Sequence, residues 1–149
     1  MKTPRQKLPD VMSSAEYKAR AETLLSEHLK QVHVFRWAKL NERKYPELTC
    51  LFAIPNQSNR GVKSGAKMKA EGLRAGLPDI CLPVPRRAYN ALWIEMKRHA
   101  KLKPTAVQLE WHERLSQNGG CVVVCYTTDG AIKTITDYLE QIHKQLTGA

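Results

Sequence analysis

Residues 90–98 read NALWIEMKR, and this stretch decides how the fold is interpreted. Apolar and polar side chains alternate along it with a period of two, which is typical of a β-strand whose two faces differ. The side chains expected to face a core are Leu92, Ile94 and Met96. Those expected on the opposite face are Trp93, Glu95 and Lys97. The pattern therefore predicts a strand over residues 91–97 that presents a carboxylate and an ammonium group together.

A second strand is predicted over residues 79–84, just before the turn-like segment PRRAYN. If the two strands pair as a hairpin, Asp79 at the start of one and Glu95 on the other converge near one end. Converging carboxylates suit a hard divalent cation, because Mg²⁺ prefers oxygen ligands and usually keeps several waters beside one or two carboxylates. Lys97 could then orient a water or neutralise charge on a reacting phosphorus. A solvated Glu–Lys pair on the strand is the alternative.

The other elements follow from hydrophobic periodicity and from residues that begin or end helices and strands. They are a long amphipathic helix from Ser13 or Ser14 to about Leu40, a strand over 48–54, a loop with one helical turn near 66–71, a helix from Pro104 to about Gln117, a strand over 121–126 and a closing helix over 132–146. With the hairpin, the order is α-β-β-β-α-β-α. The sequence therefore predicts an α/β (α+β) fold with a mixed sheet, in which a flexible arm of residues 1–12 precedes a single domain of residues 13–149.

Positive charge is concentrated in the middle of the chain. The net charge is +10, and residues 60–103 hold eleven Lys and Arg against three acids, a local net charge of +8. Such a segment is the usual electrostatic footprint of a protein that binds a phosphate backbone. Solubility or an acidic protein partner are the alternatives. The charge distribution favours a nucleic-acid substrate.

Composition excludes several other classes. Nothing approaches the roughly 20 apolar residues that span a bilayer, and the N-terminal MKTPRQKLPD has no apolar signal-peptide core. We therefore expect no membrane association and a cytoplasmic protein, of a bacterium or a phage-infected host cell. The four cysteines have no CxxC spacing, so they are interpreted as reduced core residues rather than zinc ligands. They are Cys50, Cys81, Cys121 and Cys125.

Several short motifs, taken together and in this order, carry a family resemblance. They are Glu27-His28-Leu29-Lys30-Gln31, Ile54-Pro55-Asn56 with Arg60, Gly76-Leu77-Pro78-Asp79, Ile94-Glu95-Met96-Lys97-Arg98, and Gln108-x-x-Trp111 with Leu115 and Gly119. In combination they resemble the virus-type replication-repair nuclease (VRR-NUC) domain of the PD-(D/E)XK nuclease superfamily, which has a restriction-endonuclease-like core. The match covers about residues 27–126.

The resemblance implies roles for individual residues. Asp79 and Glu95 would bind Mg²⁺ or Mn²⁺, Lys97 would be the catalytic lysine, and Glu27 would complete the metal site from the first helix. Gln108 would be a catalytic residue at the edge of the site. From the residues alone, Glu27 could equally point into water. Gln108 has a structural alternative, because Thr105-x-x-Gln108 is a capping-box pattern.

Basic residues around the loop are the predicted DNA contacts. They are Arg60, Lys63, Lys67, Lys69, Arg74, Arg98 and Lys101. The loop after Pro55-Asn56 lacks the glycines that members of the family often have there, and a solvated loop is the alternative. Trp93 could stack on a base but is more typical of packing. His99 is expected to be a surface residue.

The hypothesis is a metal-dependent DNA endonuclease that hydrolyses phosphodiester bonds. The resemblance implies a homodimer that acts on branched DNA such as Holliday junctions. Two alternatives stay open: a restriction-type or exonucleolytic nuclease with the same site, and a DNA-binding module without catalysis.

Overall fold

The computed structural model describes residues 13–55 and 62–140. Its helices are α1 (Ser14–Leu24), α2 (Glu27–Asn41), α3 (Val62–Ala70), α4 (Ala106–Gln117) and α5 (Thr128–Glu140), with a 3₁₀ helix at Pro46–Cys50. Its strands are β1 (Phe52–Ala53), β2 (Ile80–Leu82), β3 (Ala91–Met96) and β4 (Gly120–Cys125). The strands form one sheet in the order β1-β2-β3-β4. The predicted mixed α/β fold is confirmed.

The sheet combines antiparallel and parallel pairing. β1, β2 and β3 are antiparallel neighbours, and the predicted hairpin is confirmed with Ile80 opposite Ile94. β4 is parallel to β3 because helix α4 carries the chain back between them. Extending the β2–β3 register by one residue sets Asp79 opposite Glu95. Opposite residues of an antiparallel pair share a face, so the two carboxylates lie on the same side of the sheet.

Helices cover both faces of the sheet. Helices α2 and α5 pack on each other and on β3, while α4 packs on β4. The core on the α2 and α5 side includes Val34, Ala38, Ile80, Leu82, Leu92, Ile94, Met96, Ala131 and Ile135. The predicted core-facing residues of β3 are thus buried there. Their neighbours Glu95 and Lys97 are buried too, on the opposite face.

The predicted single N-terminal helix is wrong, because two helices occupy that region. Leu25 is extended with ψ 138°, and the hydroxyl of Ser26 accepts a hydrogen bond from the Leu29 backbone N–H, which begins a new helix. The predicted apolar stripe is also wrong. Tyr17 is 69% exposed and Leu24 is 72% exposed. The buried face of α2 consists instead of Lys30, Val34 and Ala38.

Three further predictions need correction, and all of them concern residues between α2 and β2. Within the predicted strand over 48–54, residues 48–50 belong to the 3₁₀ helix, which Pro46 begins with its fixed φ angle, and only Phe52 and Ala53 form β1. The predicted helical turn near 66–71 is the longer α3. Cys50 is exposed because it ends the 3₁₀ helix rather than entering a core, whereas Cys81 and Cys125 are buried as expected.

Some predictions fall outside the described residues. These are the flexible arm over 1–12, the part of the closing helix beyond Glu140, and Arg60 in the loop. Within residues 13–55 and 62–140, no helix is long and apolar enough to cross a membrane.

Candidate active site

The three residues that the sequence placed at the centre of the site lie together and are buried. Asp79 precedes β2, Glu95 lies near the end of β3, and Lys97 directly follows that strand. Their exposed fractions are 7%, 1% and 8%. Charged side chains are rarely buried to this extent unless they are paired. Their partners therefore determine what the site can do.

Glu95, Lys97 and Gln108 form a closed hydrogen-bonded triangle. Lys97 Nζ donates to Glu95 Oε1 over 2.8 Å and to Gln108 Oε1 over 2.9 Å. Gln108 Nε2 donates to the same Glu95 oxygen over 2.6 Å. Since each member contacts the other two, the orientation of the lysine ammonium is fixed by a carboxylate and an amide together.

Helix α4 brings Gln108 to this triangle through its capping box. The Thr105 hydroxyl accepts a hydrogen bond from the Gln108 backbone N–H, and Gln108 Oε1 accepts one from the Thr105 N–H over 2.9 Å. The same oxygen therefore serves both the helix cap and Lys97. The capping interpretation of Gln108 is confirmed, and it is compatible with a role in the site because one amide side chain reaches both partners.

Asp79 is held from two directions. Its Oδ2 accepts a hydrogen bond from the Met96 backbone N–H over 2.7 Å, which ties it to β3. The loop before it packs against the first turn of α4 at Gly76, whose φ is +86°. A Cβ at this position would lie 2.6 Å from Val107 Cγ1 and 2.9 Å from the Val107 carbonyl oxygen. Only glycine allows both this backbone conformation and this close approach.

Glu27, the predicted ligand from the first helix, reaches the end of β3. Its Oε1 accepts a hydrogen bond from the Arg98 backbone N–H over 3.0 Å. The residue is exposed. One oxygen of Glu27 is thus committed to the backbone beside Lys97, and the other is available to a ligand at the edge of the site.

The electrostatics of the site are set by burial and by neighbouring carboxylates. Burial raises the pKa of Glu95 to about 7; the Asp79 and Glu27 carboxylates raise it as well, whereas the hydrogen bond and charge of Lys97 lower it. Burial, assisted by the charge of Lys97, lowers the pKa of His112. Because negative charge is poorly compensated around Glu95, a cation bound there would relieve the repulsion between the carboxylates.

Two buried polar atoms face each other without hydrogen-bond partners. They are Glu95 Oε2 and His112 Nε2, which lie 3.7 Å apart. An unpartnered carboxylate oxygen next to other carboxylates fits a hard cation, which takes oxygen ligands. No three His, Cys, Asp or Glu side chains in the described part of the chain are grouped closely enough to hold a metal ion. The donor set therefore fits an ion held by one or two carboxylates and waters.

Sequence reasoning missed two residues of this region, Lys30 and His112. Lys30 is 1% exposed, and its Nζ donates to the carbonyl oxygens of Arg98 and Tyr126. Lysines are normally expected at the surface, yet its spacing of four residues from Val34 could have placed it on the buried face of α2. His112 lies four residues after Gln108, so the helical period could have placed it on the same face of α4.

Most of the predicted DNA-contact residues that the structure describes are exposed. These are Lys67, Lys69, Arg74, Arg98 and Lys101. The side chain of Lys63 is not among those that the structure describes. Trp93 is half-buried, and its ring would lie 3.0 Å from a Cβ at Gly120, which supports its interpretation as packing. His99 is exposed, as expected of a surface residue.

A mixed sheet with a buried Asp, Glu and Lys at the ends of its two central strands is consistent with a nuclease-like α/β domain. This chain is similar to a solved structure described as a "VRR_NUC domain protein", with 32% sequence identity and a TM-score of 0.67. The likeness covers 78% of this chain and 89% of the other. No sequence-family model matches the chain, and no curated protein does. At this identity and coverage, the chain belongs to the VRR-NUC family of nuclease domains.

Proposed function

We propose that this protein is a metal-dependent deoxyribonuclease that hydrolyses phosphodiester bonds within branched DNA. The observation that carries the proposal is the buried triangle of Glu95, Lys97 and Gln108 beside Asp79, in which one oxygen of Glu95 is left without a partner. Burying charges is costly, and a metal-assisted attack on phosphate gives each of these groups a chemical task.

Asp79 and Glu95 would hold Mg²⁺ or Mn²⁺ together with waters, and Glu27, which is not grouped closely enough with them to be a third direct ligand, would contribute through one of those waters. An ion held there would supply Lewis acidity to a phosphate oxygen and to an attacking water. Asp79 and Glu95 fit this role because they share one face of the sheet and because burial, together with the Asp79 charge, raises the pKa of Glu95 when no cation is bound.

Lys97 would stabilise the negative charge that develops on the phosphate. Its ammonium carries three protons, and two of them are donated to Glu95 and Gln108. The third can be directed at a phosphate oxygen or at the attacking water. Because the other two contacts fix the ammonium in advance, little reorganisation is needed when the charge develops.

The exposed positive charge and the VRR-NUC family both support DNA as the substrate. Exposed basic residues lie after β3, at Arg98 and Lys101, and in and after α3, at Lys67, Lys69 and Arg74. They would neutralise phosphates on either side of the bond that is cut. A twofold homodimer would present two such sites, which suits symmetrical cutting of two strands at a DNA junction.

The test is cleavage of labelled linear, flapped and four-way DNA in the presence of Mg²⁺ or Mn²⁺. We expect internal cuts, strongest on four-way DNA, that are abolished by EDTA and by Asp79→Asn. Asparagine can still accept the hydrogen bond from Met96, so folding and DNA binding should persist. Asp129→Asn is the matched control, since Asp129 is an exposed partner of Lys18 at the start of α5.

Each other outcome has a definite meaning. Equal cutting by the wild type and Asp79→Asn would contradict the assignment of the site. Release of nucleotides from strand ends alone would favour the exonucleolytic alternative. Cleavage that depends on a short sequence rather than on a junction would favour a restriction-type enzyme, and DNA binding by a wild type that does not cut would favour the non-catalytic module.

A further inference from the structure

A buried lysine lies on the core-facing side of α2. Lys30 is 1% exposed and shares the buried face of the helix with Val34 and Ala38. An ammonium group in such surroundings is strongly unfavourable unless its protons are donated to acceptors. The contacts of Lys30 therefore indicate what the residue does.

The Lys30 ammonium connects the ends of the two parallel strands, β3 and β4. Its Nζ donates to the carbonyl oxygen of Arg98 and to that of Tyr126, both over 2.6 Å. Arg98 follows Lys97 after β3, and Tyr126 is the first residue after β4. The ladder between these strands ends where the Lys97 backbone N–H donates to the Cys125 carbonyl oxygen over 2.8 Å. Lys30 thus adds a cross-link one residue beyond the last rung of the sheet.

Glu27, in the same helical turn as Lys30, also binds the backbone of Arg98. Glu27 accepts a hydrogen bond from the Arg98 backbone N–H, while Lys30 donates to the Arg98 carbonyl. Both backbone polar groups of Arg98 are therefore bound by the first turn of α2. Lys97 lies directly between this anchored residue and the end of β3. The backbone of Lys97 therefore has little freedom to move relative to Glu95.

We propose that Lys30 is a positioning residue of the nuclease site: it fixes the ends of β3 and β4 so that the Lys97 ammonium stays in register with Glu95 and Gln108. The inference rests on the proposed function, since it assigns Lys30 to the same site. Lys30 does not touch the substrate, because it is buried behind the strand ends. Its effect on the reaction passes through the backbone of residues 97 and 98.

The experiment compares Lys30→Met with Val34→Ala. Methionine keeps the length of the side chain and removes the charge, and Val34 lies one turn further along the same buried face without contacting Arg98 or Tyr126. Both variants should lower the melting temperature, Val34→Ala by roughly 5–10 °C. At a temperature where both are folded, Lys30→Met should lower kcat on four-way DNA about 10–100-fold with KM within about twofold. Val34→Ala should leave kcat within about twofold of the wild type.

A second variant covers the case in which Lys30→Met fails to fold. Ser26→Ala removes the hydroxyl that caps α2 and loosens the turn that carries Glu27 and Lys30, at a cost in melting temperature of about 2–4 °C. It should lower kcat more than Val34→Ala does, although it destabilises less. Amide hydrogen exchange at Lys97 and Arg98 should be faster in Ser26→Ala and unchanged in Val34→Ala, whether or not DNA is present.

The outcomes separate the two proposals. A wild-type protein that does not cut DNA overturns the proposed function and with it this role of Lys30. A wild type that cuts, together with equal kcat values in the Lys30 or Ser26 variant and in Val34→Ala, overturns the role of Lys30 alone. A raised KM with an unchanged kcat would also overturn the role of Lys30, because a misplaced Lys97 would slow the chemical step rather than weaken DNA binding.

Discussion

Around residues 94–96, both faces of strand β3 are buried, but the chemistry of the two faces differs there. On the side of α2 and α5, Leu92, Ile94 and Met96 are each 1% exposed and contact only a hydrophobic core. On the side of α4, Glu95 is equally buried, yet it is bound to an ammonium and an amide. Burial alone therefore does not separate scaffold from site in this protein.

The two faces of β3 tolerate different kinds of substitution. An apolar face is sensitive to volume and shape, so a residue of similar size is tolerated. The polar face is sensitive to pairing, because a buried donor or acceptor that loses its partner bears the full cost of desolvation. Substitutions at adjacent positions of one strand should thus have effects of different kinds.

The largest expected effect comes from neighbouring residues on opposite faces. Lys97→Met should lower the single-turnover cleavage rate by about 10²–10³-fold, because a fixed charge that stabilises the reacting phosphate is lost. Met96→Leu should leave the rate unchanged and alter the free energy of unfolding by less than about 1.5 kcal/mol. Rates and thermal unfolding measured on both proteins test this contrast. Comparable rate losses in the two variants would show that the faces do not differ as described.

A smaller effect is expected on stability, and it depends on pH. The folded pKa of Glu95 is raised to about 7 from an ordinary value of 4.5, so the folded state binds this proton more tightly and wild-type stability declines as pH rises between these values. Without metal, Glu95→Gln should match the wild type below pH 4.5 and exceed its free energy of unfolding by about 3 kcal/mol above pH 7. Its nuclease activity should be lost.

Chemical denaturation in EDTA at several pH values measures that difference. Glu110→Gln is the control, because Glu110 lies on an exposed face of α4, paired only with Arg114, and should give no pH-dependent gain. A Glu95→Gln protein that is less stable than the wild type at pH 8 would mean that the Lys97 ion pair outweighs the burial of the carboxylate.

The smallest effect separates the two roles of Gln108. Thr105→Ala removes only the helix cap and should cost about 1 kcal/mol of stability with cleavage within about twofold of the wild type. Gln108→Ala removes the reciprocal hydrogen bond of the same capping box, from the Thr105 N–H to Gln108 Oε1, and also the contacts to Glu95 and Lys97, so it should lower the cleavage rate about tenfold in addition. Equal cleavage by the two variants would reduce Gln108 to a capping residue.

The sequence predicted those parts of the site that depend on local patterns. Alternation along β3 placed Glu95 and Lys97 on one face, and hairpin pairing brought Asp79 opposite Glu95. The Thr105 and Gln108 pattern marks the observed start of α4 at Ala106, two residues after the predicted start at Pro104. Each of these features is decided by neighbours in the chain or by one adjacent strand, which is why a single sequence could reveal them.

Features that depend on distant contacts were not predictable in the same way. Helix α1 is attached to the start of α5, where Glu22 accepts a hydrogen bond from the Thr128 backbone N–H and Lys18 pairs with Asp129. These partners lie more than a hundred residues away in the chain, so no local pattern predicts that α1 packs on α5, although the Ser26 cap is a local signal for the start of α2. The burial of Lys30 has the same origin, since its acceptors are carbonyl oxygens that any residue could supply.

The absence of a side chain at Gly76 has a mechanical consequence. Since Gly76 packs without a side chain of its own against both the side chain and the backbone of Val107, the loop before Asp79 lies as close to α4 as the chain allows. Helix α4 therefore cannot slide along the sheet without displacing the loop. The carboxylate supplied by one and the amide supplied by the other keep a constant separation, although they come from segments far apart in the sequence.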